Sequence, residues 1–111
     1  MRNTIAMPLN FQIESENALL RINLSGEMTY EFLQDASQKI LNVVKDQKGP
    51  VLLDLSGVTY ISEDGLALLV SLYRDAVSRG ATIYLEGAKE AVADRIKRCG
   101  IDQFLKPRPS H

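Results

Sequence analysis

Residues 51–87, VLLDLSGVTYISEDGLALLVSLYRDAVSRGATIYLEG, decide the fold, because two strand-like runs bracket one helix-like run. VLLDL, Val51 to Leu55, is apolar at all but one position and reads as a strand covered on both faces, as in a sheet packed by helices. Residues 64–79 then place apolar side chains at helical spacing. Gly80, following Arg79, ends that helix with a glycine and a last-turn cation that suits its dipole. ATIYLEG resumes the strand pattern over 82–86. A strand, a helix and a second strand in this order imply a right-handed crossover between parallel strands.

Upstream, Phe11 and Ile13 alternate with Gln12 and Glu14, and after SEN the alternation returns with Leu20, Ile22 and Leu24 against Arg21 and Asn23, which is a hairpin pattern. SGEMT breaks it. Thr29 is placed as an N-cap and Glu31 in the first turn of a helix carrying Leu33, Ala36, Ile40, Val43 and Val44, which stops before Gly49 and Pro50. Downstream, a helix near residues 89–99 sets Val92, Ile96 and Cys99 on one stripe before Gly100, and PRPSH reads as a loose tail. The expected class is α/β, in the order β-β-α-β-α-β-α. One domain spans residues 1–111, with its core at about 11–105 and loose termini at 1–10 and 106–111.

Composition narrows the function. The 111 residues suffice for one hydrophobic core, and 45% hydrophobic with 24% charged residues is the balance of a soluble globular chain rather than a disordered one. With 13 basic and 14 acidic residues there is no bulk attraction to nucleic acid or anionic lipid, so a partner must be recognised by local shape. The single cysteine excludes an internal disulfide, and no apolar run reaches the roughly 18–20 residues of a membrane span. MRNTIAMPLNF lacks the apolar run of a secretory signal, so a cytoplasmic location is expected.

The junction Ser62-Glu63-Asp64-Gly65 carries the chemistry worth weighing. A serine N-cap with two acids in the first turn is what any helix dipole favours, at about 0.3–1 kcal/mol per acid. On a helical wheel Leu66, Leu69, Val70, Tyr73 and Val77 share one arc, expected to face the sheet, while Asp64, Ala67, Leu68, Ser71 and Asp75 fall on the opposite arc. That arc is expected to be exposed and, being small at Ala67 and Ser71, to admit another protein's backbone. Capping and docking are compatible roles.

Other constellations are weaker. Asp54, close in sequence to the junction, is read either as supporting its geometry or as bonding loop amides. Asp54, Glu63 and Asp64 lack the ligand spacing of a hard-cation site, so no metal and no cofactor are expected. His111, the only histidine, lies in the tail and gives no support for acid-base or nucleophilic catalysis, so the chain is not read as an enzyme. Cys99 is assigned to packing. GVTYISEDG lacks the lysine and glycine spacing of a phosphate-binding loop. The basic residues of the last quarter suit a solvated helix face, with a secondary acidic contact left open.

The 51–87 stretch resembles the central signature of STAS domains, the fold of bacterial anti-sigma factor antagonists. LSGEMT at 24–29 is similar to that family's turn into its first helix, and RIKRCGIDQFL at 95–105 to its last helix and closing segment. The resemblance implies a small mixed sheet with helices mainly on one face and a non-catalytic, protein-binding role. In phospho-regulated members an aspartate, a serine and then a serine or threonine precede the glycine, and the residue just before the glycine is phosphorylated by a partner kinase. Ser62, Glu63 and Asp64 occupy those positions here, so the acceptor hydroxyl is missing. A carboxylate supplies one charge where a phosphoserine supplies about 1.5 to 2. The resemblance implies a kinase-like anti-sigma factor, or another regulatory protein, as partner of Ser62, Glu63, Asp64, Gly65, Ala67, Leu68 and Ser71, with Asp54 in support and Ser62 left open as a displaced acceptor. Its alternative is a constitutive accessory or scaffold subunit of a membrane transport complex. Some members associate as dimers, so a homodimer also stays open.

Overall fold

The computed structural model describes residues 6–103 and 106–107. β1 (Asn10–Glu16) and β2 (Leu19–Met28) form an antiparallel hairpin turning at Asn17, whose φ of 50° is a left-handed conformation asparagine tolerates. The chain then alternates: α1 (Tyr30–Lys45), β3 (Val51–Ile61), α2 (Glu63–Ser78), β4 (Ile83–Glu86), α3 (Glu90–Arg98), a 3-10 turn at Ile101–Gln103 and β5 (Lys106–Pro107). Among the described residues the sheet order is β1-β2-β3-β4-β5, with β1 antiparallel and each later pair parallel. This is the mixed α/β sheet expected, extended by the short β5.

Alternation along the strands sorts the two faces. Leu20, Ile22 and Leu24 of β2, Val51, Leu53 and Leu55 of β3 and Ile83 of β4 enter one core with Leu33, Ile40 and Val44 of α1, Leu69 and Leu72 of α2, and Val92 and Ile96 of α3. All three helices therefore pack on one face. The opposite face carries Arg21, Asn23, Asp54 and Glu86.

β3 runs six residues past its expected end at Leu55. Its continuation SGVTYI shows no period of two, because register shifts against β2 fall between Asn23 and Ser25 and between Gly26 and Glu27. Each shift inserts one extra residue in β3, so Leu55, Val58 and Ile61, three apart, all face the core. The extension carries the start of α2 to the end of β2.

Two terminal expectations are corrected. Residues 7–9, assigned to a loose terminus, run beside β2: the Glu27 N–H donates to the Met7 carbonyl at 2.9 Å, and Leu9 packs against the core. Gly26 makes this approach achievable, since its φ is +94° and a Cβ there would stand 2.1 Å from the Pro8 carbonyl oxygen. Lys106–Pro107, assigned to the loose tail, pair with β4 as β5. The rest of both expected loose ends, 1–5 and 108–111, lies outside the described residues. Cys99 is a third correction: it is exposed at the C-cap of α3 rather than packed, because the helix ends one residue before it. Among the described residues no helix is long and apolar enough to cross a membrane.

Candidate functional site

The β3–α2 junction is fastened to the end of β2 through one carbonyl. Met28 O accepts from the Ser62 backbone N–H at 3.0 Å and from the Ser62 hydroxyl at 2.9 Å. The same hydroxyl oxygen accepts from Gly65 N–H at 3.3 Å, which makes Ser62 the N-cap of α2 in extended backbone geometry. Gly65 is buried, and a Cβ there would meet Ile61 Cγ1 at 2.7 Å and Met28 O at 2.9 Å. Ser62 and Gly65 thus set how α2 leaves the sheet. Glu63 and Asp64 project from its first turn into solvent. Among the described residues no side chain hydrogen-bonds or ion-pairs with Asp64.

α1 and α2 each follow a strand of the same parallel pair, so they lie side by side with their N-termini at one end of the sheet. Between them runs an open groove of about 280 Å³. Tyr30, Gln34, Ser37 and Leu41 wall it from α1, Asp64, Ala67 and Ser71 from α2, and Leu33 and Leu68 line it more deeply. Asp64, Ala67 and Ser71 are exposed, as the helical wheel required. Leu68 is not: it is only 5% accessible, whereas Val77, assigned to the buried arc, is 54% accessible.

The buried arc of α2 is turned from the expected one by most of a residue step of about 100°. The wheel allowed α2 one neighbour, the sheet. The fold gives it two, and Leu68, Leu72 and Ala76 are covered where α1 and the sheet meet it, while Val70 and Tyr73 are half-buried. The α1 wall was not assigned from sequence. Its signal was present as Tyr30, Gln34, Ser37 and Leu41, a stripe at i, i+4, i+7 and i+11 opening on a tyrosine that is 63% exposed.

Asp54 sits apart from this groove. It lies in mid-β3 on the helix-free face, and its Oδ1 accepts from Ser56 N–H at 2.9 Å while its Oδ2 accepts from Arg21 Nη2 at 2.7 Å. Arg21 also donates to Glu86 at 2.8 Å and to Asn23 at 3.0 Å, and Asn23 donates to Glu14 at 2.6 Å, so the network crosses four strands. Burial pushes the Asp54 carboxyl up, but the Ser56 hydrogen bonds and the Arg21 guanidinium outweigh it and hold the group below its ordinary value. Burial works against the Arg21 charge, and Glu86 and Asp54 more than compensate, raising its pKa. The first of the two roles expected for Asp54, support of the 62–64 turn, gives way to sheet bracing, because β3 continues seven residues beyond it. Among the described residues no group of three or more metal-ligating side chains is arranged to hold an ion.

A family model described as Mlab, STAS domain, matches residues 11–107. The chain belongs to the STAS domain family. Solved STAS structures share its fold: the anti-sigma factor antagonist SpoIIAA in its unphosphorylated form aligns with a TM-score of 0.76 at 14% identity, over 91% of this chain and 90% of that one. The phosphorylated form of Bacillus SpoIIAA aligns at 0.69, with 14% identity over 91% and 93% of the two chains. An anti-sigma factor antagonist domain protein from Planctomyces limnophilus aligns at 0.79, with 15% identity over 91% of each chain. Part of the murine Slc26a9 anion transporter aligns at 0.68 and 13% identity, over 91% of this chain but 21% of the transporter. In this STAS domain the β3–α2 junction contributes Asp64 to the lining of the α1/α2 groove.

Proposed function

We propose that this STAS domain is a non-catalytic regulator of the anti-sigma factor antagonist type, binding a kinase-like anti-sigma factor or a related regulatory protein in a partner-switching pathway. The observation that carries the reading is the exposed carboxylate of Asp64 beside an apolar-floored groove, one residue before the buried Gly65. SpoIIAA, with the same fold, exists in phosphorylated and unphosphorylated forms. Asp64 stands where phospho-regulated members of the family carry the acceptor, so it supplies permanently a part of the charge that phosphate would supply. The docking surface comprises Glu63, Asp64, Ala67 and Ser71, with Leu68 as its floor and Ser62 and Gly65 fixing its backbone. A phosphate on Ser62 would compete with the bonds its hydroxyl makes to Met28 and Gly65.

A second reading, a constitutive accessory subunit of a membrane transport complex, is favoured by two observations: position 64 has no hydroxyl to switch, and the fold recurs within an anion transporter. Neighbouring genes separate the two readings, encoding either a kinase-like anti-sigma factor with a phosphatase or transporter subunits. Affinity of that partner for wild type, Asp64→Ala and Asp64→Lys then tests the surface. A change beyond about twofold, roughly 0.4 kcal/mol, is expected in at least one variant, and smaller changes in both reject the assignment.

A further inference from the structure

β3 outruns β4. Their pairing stops at Asp54 and Glu86, so β3 beyond Asp54 has no strand on that side among the described residues, and α3 lies against the overhang instead. Near its tip Tyr60 is 47% exposed, and the guanidinium carbon of Arg95, from α3, stands 5.7 Å from the centre of its ring. That distance is a cation–π contact, which holds the guanidinium against the tyrosine. Arg95 is half-buried, and its Nε is buried without an acceptor. Among the described residues no carboxylate pairs with it. Asp94 bonds Arg98 at 3.0 Å, and Glu27, opposite Tyr60 in the register of β2 and β3, accepts from the Met7 N–H at 3.4 Å. The contrast with other half-buried arginines is plain. Arg21 holds two carboxylates and an amide, and Arg79, which also has a buried nitrogen without an acceptor, bonds Asp75 and the Gln47 carbonyl through its other nitrogens. Buried polar groups are normally paired, so a cation fixed by a ring with its donors unused calls for an acceptor from outside.

We propose that Tyr60 and Arg95 form a second interaction surface, which takes a carboxylate from an acidic segment of a protein partner. Arg95 anchors the carboxylate and Tyr60 positions the guanidinium. Charge complementarity selects this occupant: residues 89–98 carry four cations against two acids in a chain of net charge −1. The planar guanidinium fork matches a carboxylate, and arginine and tyrosine are residue types on which protein interfaces concentrate their energy. A nucleic-acid strand fits less well. Its backbone carries a charge at every nucleotide and would meet Glu63 and Asp64, exposed just beyond Tyr60, whereas a protein segment can set one carboxylate on Arg95 and uncharged residues beside those acids. The inference does not rest on the docking role of Asp64, because neither Tyr60 nor Arg95 lines the α1/α2 groove.

The test is a nuclear magnetic resonance titration of the full chain with the blocked tetrapeptide Ala-Glu-Glu-Ala over a millimolar range, with Ala-Gln-Gln-Ala as its neutral match. The acidic peptide is expected to shift the Arg95 Nε–H and the Tyr60 amide saturably, and the neutral one to leave both in place. Arg95→Gln is expected to weaken binding about fivefold, and Lys97→Gln, which removes the same charge from another side of α3, by less than about twofold. Tyr60→Leu keeps every charge and does not depend on how Arg95→Gln folds. It too is expected to weaken binding, since the guanidinium loses its support. No saturable shift, equal losses from Arg95→Gln and Lys97→Gln, or full binding by Tyr60→Leu overturns the proposal. An equal response to inorganic phosphate, which marks a site for any anion, or tighter binding of oligothymidylate, which marks a nucleic-acid site, overturns it as well.

Discussion

Replacing Gly65 with alanine sets two effects of opposite sign against each other. In an unconstrained helix, alanine is favoured over glycine by about 1 kcal/mol. Here the added methyl would lie 2.7 Å from Ile61 Cγ1, 2.9 Å from Met28 O and 3.0 Å from Met28 Cβ. Ile61 can give by rotating, but Met28 O is backbone, and it also anchors both Ser62 hydrogen bonds. Relieving the clash moves the start of α2 off the end of β2. Overpacking of this kind costs about 1–3 kcal/mol, and weakening two hydrogen bonds adds roughly 1 kcal/mol each. After the helix gain is subtracted, the net loss for Gly65→Ala is about 2–4 kcal/mol. For 111 residues each kcal/mol is worth roughly 4 °C in Tm, so thermal unfolding followed by circular dichroism should show a drop of about 8–16 °C. A variant as stable as wild type, or more stable, would show that helix propensity wins and that α2 does not rest on β2 as described.

Further outcomes follow from the same contacts. Asp54 is held below its ordinary pKa, so its contribution to stability is fully present above the unfolded value of about 3.9 and is lost as pH falls through the lower folded value. In urea titrations wild type should therefore lose stability more steeply than Asp54→Asn below about pH 4, and parallel acid limbs would contradict the bracing network. Ser62→Ala removes the cap and the bond to Met28, at about 1–2 kcal/mol, and wild type incubated with the cognate kinase and ATP should show no added phosphate by intact mass, with uptake at Ser62 refuting its assignment as a cap only. Leu68→Ala should cost about 2–4 kcal/mol in urea unfolding because the side chain is buried, whereas Ala67→Gln should change stability by less than about 0.5 kcal/mol while weakening partner binding.

The sequence displayed more of the fold than of the site. Gly80 after Arg79 announced a stop that the structure builds with Gly80 N–H on Val77 O and Ala81 N–H on Ala76 O, the paired bonds of a glycine-terminated helix. Periodicity located α1 through Leu33, Ala36, Ile40 and Val44 for the same local reason. What escaped was whatever depends on a neighbour distant in sequence. The bulges that extend β3 to Ile61 are defined only against β2, and the two-sided burial of Leu68 only against α1. Arg21, assigned nothing beyond a polar strand position, proved to join Asp54 and Glu86 across strands separated by 33 and 65 residues. Asp64, Ala67 and Ser71 were legible because one helix wheel suffices to place them on a common side. Tyr30 and Gln34 were not, because nothing in the sequence states which face of α1 meets α2.

The docking surface is tested most directly by amide hydrogen exchange of the chain alone and in complex with its captured partner. The account predicts slowed exchange in the first turns of α1 and α2, at residues 30–37 and 64–71, with the helix-free sheet face around Arg21, Asp54 and Glu86 unchanged. Slowed exchange confined to that sheet face, with both helix starts exchanging as in the free protein, would contradict it.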